Sequence, residues 1–150
     1  MNLDKFDRSI LQIVQQNNQL THSEIGDQVG LSNSAVRRRL KHLRDTGVIA
    51  RDVSIISNET AGVTMIVNVT FAVDTPEAYA EFDRAMTEDP HVKQVYHVSG
   101  TTDYVLIVQG PSLSWYEDWA KASLMSDRNL RRHDTSVVYS CKKFDTASEI

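Results

Sequence analysis

The apolar residues of this chain keep a helical period until a strand period first appears near residue 65, and that change points to two folding units of different kinds. Before it, hydrophobic residues recur every three or four positions: Phe6, Ile10, Ile13 and Val14, then Ile25 and Val29, then Val36, Leu40 and Leu43. A helix turns about 100° per residue, so this spacing places one apolar stripe on each of three helices. After it, Met65, Val67, Val69, Phe71 and Val73 alternate with Ile66, Asn68, Thr70 and Ala72. That alternation suits a strand with one buried face.

Caps and breakers set the boundaries. Asp4, with Asp7 three positions on, opens a helix over the Leu3 to Val14 stretch, and Thr21 with Glu24 forms a capping-box pattern for a short second helix that Gly30 ends. Ser32 caps the third helix and Gly47 closes it. Beyond the first strand, Thr75 and Pro76 open a helix that carries Tyr79, Phe82 and Met86 on one face, with Pro90 past its end. Strands Val92 to Ser99 and Tyr104 to Gln109 flank the turn Gly100-Thr101-Thr102-Asp103. A helix from about Leu113 to Leu124, burying Trp115 and Trp119, and a strand around Ser136 to Cys141 complete the order β-α-β-β-α-β. This order predicts an α+β chain: an N-terminal trihelical (winged) helix-turn-helix at residues 1–51, a connecting segment at 52–62, and a ferredoxin-like domain at 63–150 with both helices on one face of a four-stranded antiparallel sheet.

The formal charge of −4 hides an asymmetry. Residues 1–51 hold eight Lys and Arg against five Asp and Glu, a net of +3, whereas residues 52–150 hold eight against fifteen, a net of −7. From Asn33 to Arg44 there are five basic residues and no acid, and Ser34, Arg37, Arg38 and Lys41 lie opposite the Val36, Leu40, Leu43 stripe. Surfaces that need only solubility mix their signs. On the third helix of a helix-turn-helix, such a face suits the DNA major groove, with the N-terminal residues on base edges. Asn33, Ser34, Arg37 and Arg38 are therefore expected to read bases, since amides and guanidinium groups pair bidentately with adenine and guanine, and Arg39, Lys41 and Arg44 to hold phosphates.

Catalysis lacks a constellation. The five histidines show no metal-ligand spacing, the single Cys141 has no His partner by motif, and no glycine-rich phosphate loop occurs, so neither an enzyme nor a metal or cofactor is expected. The apolar runs, such as Tyr104 to Val108, are too short to span a membrane and the start of the chain lacks a basic-then-apolar segment, which predicts a cytoplasmic protein with no membrane partner. The alternative reading is a small-molecule-binding or protein-interaction module whose basic helix meets an acidic partner in place of DNA.

Four stretches carry a resemblance to the Lrp/AsnC family of feast/famine regulators, over nearly the whole chain. They are Leu3-Asp4-Lys5-Phe6-Asp7-Arg8-Ser9-Ile10-Leu11; Glu24-Ile25 through Val29-Gly30-Leu31-Ser32; Val36, Arg38, Leu40, Leu43, Gly47, Val48 and Ile49; and Val98-Ser99-Gly100-Thr101-Thr102-Asp103-Tyr104. The resemblance implies a sequence-specific transcriptional regulator of double-stranded DNA. It further implies a second domain, of the type called RAM, that pairs subunits through their sheets, homodimers that assemble to octamers, and an amino acid or related small effector bound between dimers. The implied effector site comprises Gly100, Thr101, Thr102 and Asp103 together with His133, Asp134 and Thr135, which align with a segment before the last strand. Turn N–H groups suit an effector carboxylate, and Asp103 or Asp134 an ammonium. Two departures stand out. His133 replaces a usual threonine, which implies either an altered effector specificity or a pocket that binds no free amino acid, and Asp52 and Asn58 replace the usual aromatic and proline of the connection.

Overall fold

The computed structural model describes residues 3–57 and 60–150, so Asn58 lies outside the described residues. The chain divides into two compact units, one running to Ile55 and including Lys143–Ile150, the other spanning Ile56–Lys142.

The first unit holds α1 (Lys5–Gln16), α2 (His22–Val29) and α3 (Asn33–Asp45). Each starts where a side chain satisfies free backbone donors. The Asp7 N–H donates to the Asp4 carboxylate at 2.8 Å, and the Asp7 carboxylate accepts from the Asp4 N–H at 3.3 Å. Thr21 and Glu24 exchange the equivalent pair at 3.2 and 2.7 Å. Gly30 takes the left-handed conformation, φ 72°, that ends α2. Ile10, Leu11, Ile25, Val36, Leu40 and Leu43 are buried together, each such aliphatic side chain contributing about 1.5–3 kcal/mol by leaving water. Gly26 makes the turn possible: a Cβ there would stand 2.4 Å from the Leu31 carbonyl oxygen. Residues 50–57 carry no helix or strand.

The second unit runs β1 (Val63–Phe71), α4 (Pro76–Glu88), β2 (Val92–His97), β3 (Tyr104–Gly110), α5 (Leu113–Ala120) and β4 (Leu130–Val137). The strands pair antiparallel in the order β2-β3-β1-β4, the ferredoxin-like arrangement. Met65, Val67 and Val69 of β1, with Tyr104, Leu106 and Val108 of β3, pack against Ala78, Phe82 and Met86 of α4 and Tyr116, Trp119 and Leu124 beyond β3. The opposite face of the sheet presents Ile66, Tyr96, Val105 and Ile107 in part to solvent.

Two elements differ from expectation. The last strand is Leu130–Val137, not Ser136 to Cys141. Its sequence, LRRHDTSV, is polar because β4 is an edge strand with most of its length exposed, and hydrophobicity does not mark such a strand. The helix expected to reach Leu124 is regular only to Ala120 and widens into a π-helical turn, Lys121–Met125. Within it Tyr116 and Trp119 are buried and Trp115 only partly so.

Candidate functional site

The Ser32 hydroxyl accepts from the Ala35 N–H at 3.3 Å and so starts α3 at Asn33. With Val36, Leu40 and Leu43 buried, the helix turns Asn33, Ser34, Arg37, Arg38 and Lys41 outward, and these five side chains line one open depression of about 390 Å³. Among the described residues Arg37 and Arg38 form no ion pair, so their guanidinium forks remain available. Lys41 meets Asp45 one turn along, but both are largely exposed, and such pairs contribute only about 0.3–0.5 kcal/mol.

Arg39 does not join this surface. Its Nη1 donates to Asp7 Oδ1 at 2.7 Å and lies 2.8 Å from Asp4 Oδ2, and its guanidinium carbon sits 5.4 Å from the centre of the Phe6 ring. The hydrogen bond to Asp7, opposed by partial desolvation and helped by Asp4, raises the Arg39 pKa above its ordinary value. Arg39 therefore ties α3 to α1 instead of waiting for a phosphate. Its place was legible: position 39 is three after Val36 and four before Leu43, inside the apolar stripe. Arg44 is also engaged, with Nε 2.8 Å and Nη2 3.3 Å from the two carboxylate oxygens of Asp52. That fork holds the Asp52 carboxyl below the usual carboxylate range and anchors the segment after α3. The pairing partner lies on an irregular segment, so no periodicity could reveal it.

In the second unit the turn Gly100–Asp103 is tied to the end of β1. The Asp103 N–H and the Thr102 hydroxyl donate to the Val69 carbonyl at 2.9 and 2.8 Å, and the Asp103 carboxylate accepts from the Phe71 N–H at 2.7 Å. Gly100 and Thr101 stay exposed at its tip. His133, Asp134 and Thr135 lie within β4, not before it. Val69 pairs with Tyr104 on one side and His133 on the other, so one strand separates the turn from His133, about 10 Å across two strand spacings. His133 and Thr135 face the helices, where the Thr135 hydroxyl lies 2.6 Å from the Tyr116 hydroxyl. Asp134 points to the opposite face, alternation separating it from its neighbours, and pairs with Arg132 at 2.8 Å. Tyr116 was missed as a neighbour of this site because its position beside Thr135 follows from packing α5 on the sheet.

A helix-turn-helix with an exposed basic face, joined to a ferredoxin-like domain with a polar turn at one sheet end, defines a DNA-binding transcriptional regulator with a ligand-binding domain. Residues 3–50 match the winged helix-turn-helix DNA-binding family and residues 64–148 the Lrp/AsnC ligand binding domain. An HTH-type transcriptional regulator of Sinorhizobium fredii is 38% identical over 140 residues, 92% of this chain and 83% of that protein. The DNA-binding transcriptional activator DecR of Escherichia coli is 28% identical over 150 residues, 99% of each chain. A transcriptional regulator of Neisseria meningitidis, solved as a complex with L-Met, superposes with a TM-score of 0.89 at 28% identity, covering 97% of this chain and 95% of that one. The chain belongs to the Lrp/AsnC family of transcriptional regulators.

Proposed function

We propose that this regulator reads duplex DNA as a homodimer through Asn33, Ser34, Arg37, Arg38 and Lys41 of each α3, and that an amino acid or related small effector at the Gly100–Asp103 turn and His133 changes its DNA affinity or assembly. Residues 1–51 then form the reading head, 52–62 the connector and 63–150, apart from the returning residues 143–150, the dimerising and effector-binding part. The observation that carries the reading is the single exposed surface shared by five polar and basic α3 side chains, two of them arginines without an acidic partner among the described residues. Its N-terminal end suits base edges and Lys41 suits a phosphate.

The effector part draws support from the L-Met complex of the structural relative and from a glutamate uptake regulatory protein of Zymomonas mobilis, 30% identical over 143 residues, 94% of this chain and 85% of that one. Gly100 and Thr101 are exposed residues whose backbone N–H groups suit a carboxylate, and the second oxygen of Asp103 suits an ammonium. Dimers form through the sheet face that carries Ile66 and Ile107, and assemble further to octamers in the cytoplasm. No helix among the described residues is long and apolar enough to cross a membrane, which agrees with that location.

Mobility-shift titration on a pseudo-palindromic site tests the DNA part: binding falls steeply with salt and survives scrambled competitor. Competition at equal strength by scrambled duplex overturns sequence reading. A thermal-shift screen of the amino acids tests the effector, because a ligand of the folded form raises the melting temperature. Asp103→Asn keeps the acceptor for Phe71 and removes the charge, so it is expected to abolish the response while leaving ligand-free DNA binding within about two-fold, on the order of 0.4 kcal/mol.

A further inference from the structure

We infer that the helix-turn-helix unit contains a groove for an extended peptide, and that its occupant is the chain's own residues 144–150. Leu11, Val14 and Gln15 of α1 line it together with Val48, Ile49 and Val53 after α3. Residues 143–150 belong to this unit and not to the sheet. Phe144, Thr146, Ser148 and Ile150 line the groove while the residues between them do not, which is the alternation of an extended segment.

Gln15 grips this segment by its main chain. The Gln15 Nε2 donates to the Ser148 carbonyl at 3.2 Å, and the Gln15 Oε1 accepts from the Ser148 N–H at 2.6 Å. One side-chain amide thus supplies the donor and acceptor that a neighbouring strand offers, and it reads backbone whatever side chain stands at 148. The Asp145 carboxylate accepts from the Ala147 N–H at 2.9 Å and shapes the approach. Phe144 and Ile150 remain 58% and 38% exposed, whereas Ile10 and Leu43 of the helix core are fully buried. The segment therefore lifts away without opening the helix core.

The path of the chain gives the groove a consequence. The chain leaves the helix unit after Ile55 and returns to it at Lys143, so a docked segment adds a second covalent crossing to the reading head. Two tethers leave the head fewer orientations than one. A dimer whose heads are doubly tethered discriminates between half-site spacings, and release of the segment relaxes that choice. This step rests on the DNA-reading role proposed above; the groove itself does not.

The test compares the full chain with a variant lacking residues 144–150 and with Gln15→Ala, Ser148→Pro and Ser148→Ala. Hydrogen exchange at amides 48–55 reads occupancy without DNA. The deletion, Gln15→Ala and Ser148→Pro are each expected to speed exchange about three-fold or more, Ser148→Ala to leave it unchanged, and a synthetic peptide of residues 144–150 to restore protection to the deletion variant. Unchanged exchange in the deletion variant and in Gln15→Ala, or equal effects of the two Ser148 substitutions, overturns the groove. Protection that vanishes on dilution to monomer assigns the occupant to a second copy and overturns the intrachain assignment. On DNA, moving one half-site by about five base pairs, half a helical turn, is expected to cost the full chain about ten-fold in affinity and the deletion variant about three-fold or less. An equal penalty overturns the tethering role, and failure of every variant to bind DNA defeats the reading role while the exchange result still judges the groove.

Discussion

Within one turn of α3, three arginines in succession have two different fates, and side-chain direction alone divides them. Arg37 and Arg38 point outward into the open depression, while Arg39 points along the Val36 and Leu43 stripe and meets Asp4 and Asp7. Arg37→Ala or Arg38→Ala is expected to relax base preference at one position by about 1–3 kcal/mol, measured against a panel of single-base variants of the site. Lys41→Ala is expected to lower affinity uniformly and to reduce the slope of log K on log salt by about one. Arg39→Ala behaves otherwise. It removes charged hydrogen bonds that are only a quarter exposed, so the melting temperature drops by an amount that corresponds to about 1 kcal/mol while base preference stays unchanged. A change in preference without loss of stability would return Arg39 to the interface.

At the scale of elements, the helix-turn-helix depends on bare backbone at Gly26. Alanine is the better helix former by about 0.8–1.0 kcal/mol, yet its Cβ would stand 2.4 Å from the Leu31 carbonyl, and overpacking of this kind costs about 1–3 kcal/mol. The clash outweighs the propensity gain, because the obstacle is backbone and α3 must shift to relieve it. Gly26→Ala is therefore expected to destabilise the helix unit and weaken DNA binding together, in denaturant melts and titrations of the same preparation. An equal or higher stability would show that the turn yields at no cost. In the sheet unit Gly110 has the same function toward α5, since a Cβ would overlap the Trp115 ring at 2.0 Å.

Across the whole molecule the two units titrate in opposite directions. Backbone hydrogen bonding of Asp7 to Asp4, hydrogen bonds from Thr21 to Glu24, and the Arg44 fork on Asp52 hold three carboxyls of the helix unit below their ordinary values of 3.8 and 4.5. Their stabilisation is present above those values and lost as pH falls through the folded ones. In the sheet unit burial raises Tyr79, Tyr104 and Tyr116 above 10.0, so that contribution holds below pH 10.0 and fades as pH rises toward the folded values. Glu117 is also lowered there, but by an exposed pair with Lys121 that contributes little. Both tryptophans, Trp115 and Trp119, lie in the sheet unit. Acidification is thus expected to lower the amide protection factors, taken relative to the unfolded chain at the same pH, in α1 and α2 before tryptophan fluorescence changes; simultaneous loss would show that the units unfold as one. Assembly is tested on the open sheet face, where Ile66 and Ile107 stand directly opposite each other. Ile66→Glu is expected to convert the proposed dimer to a folded monomer by sedimentation, and a dimer that persists in this variant would move the proposed interface elsewhere.

Local chemistry decided much of this protein before any tertiary contact formed. The caps at Asp4, Thr21, Ser32 and Thr75, the stripes on the first four helices and the alternation of β1 depend on neighbours within four residues, and each is found where its spacing places it, except that β1 ends at Phe71 and leaves Val73 exposed. The basic face of α3 follows from the same periodicity. Only the packed structure decided that Arg39 and Arg44 belong to carboxylates 32 and 8 residues away, that polar residues 130–137 form the edge strand, and that Asp134 turns from His133 and Thr135. It also decided that residues 143–150 return to the helix unit. Those outcomes depend on which surfaces meet across long stretches of chain, and a one-dimensional pattern carries no record of a partner that is far along it and polar.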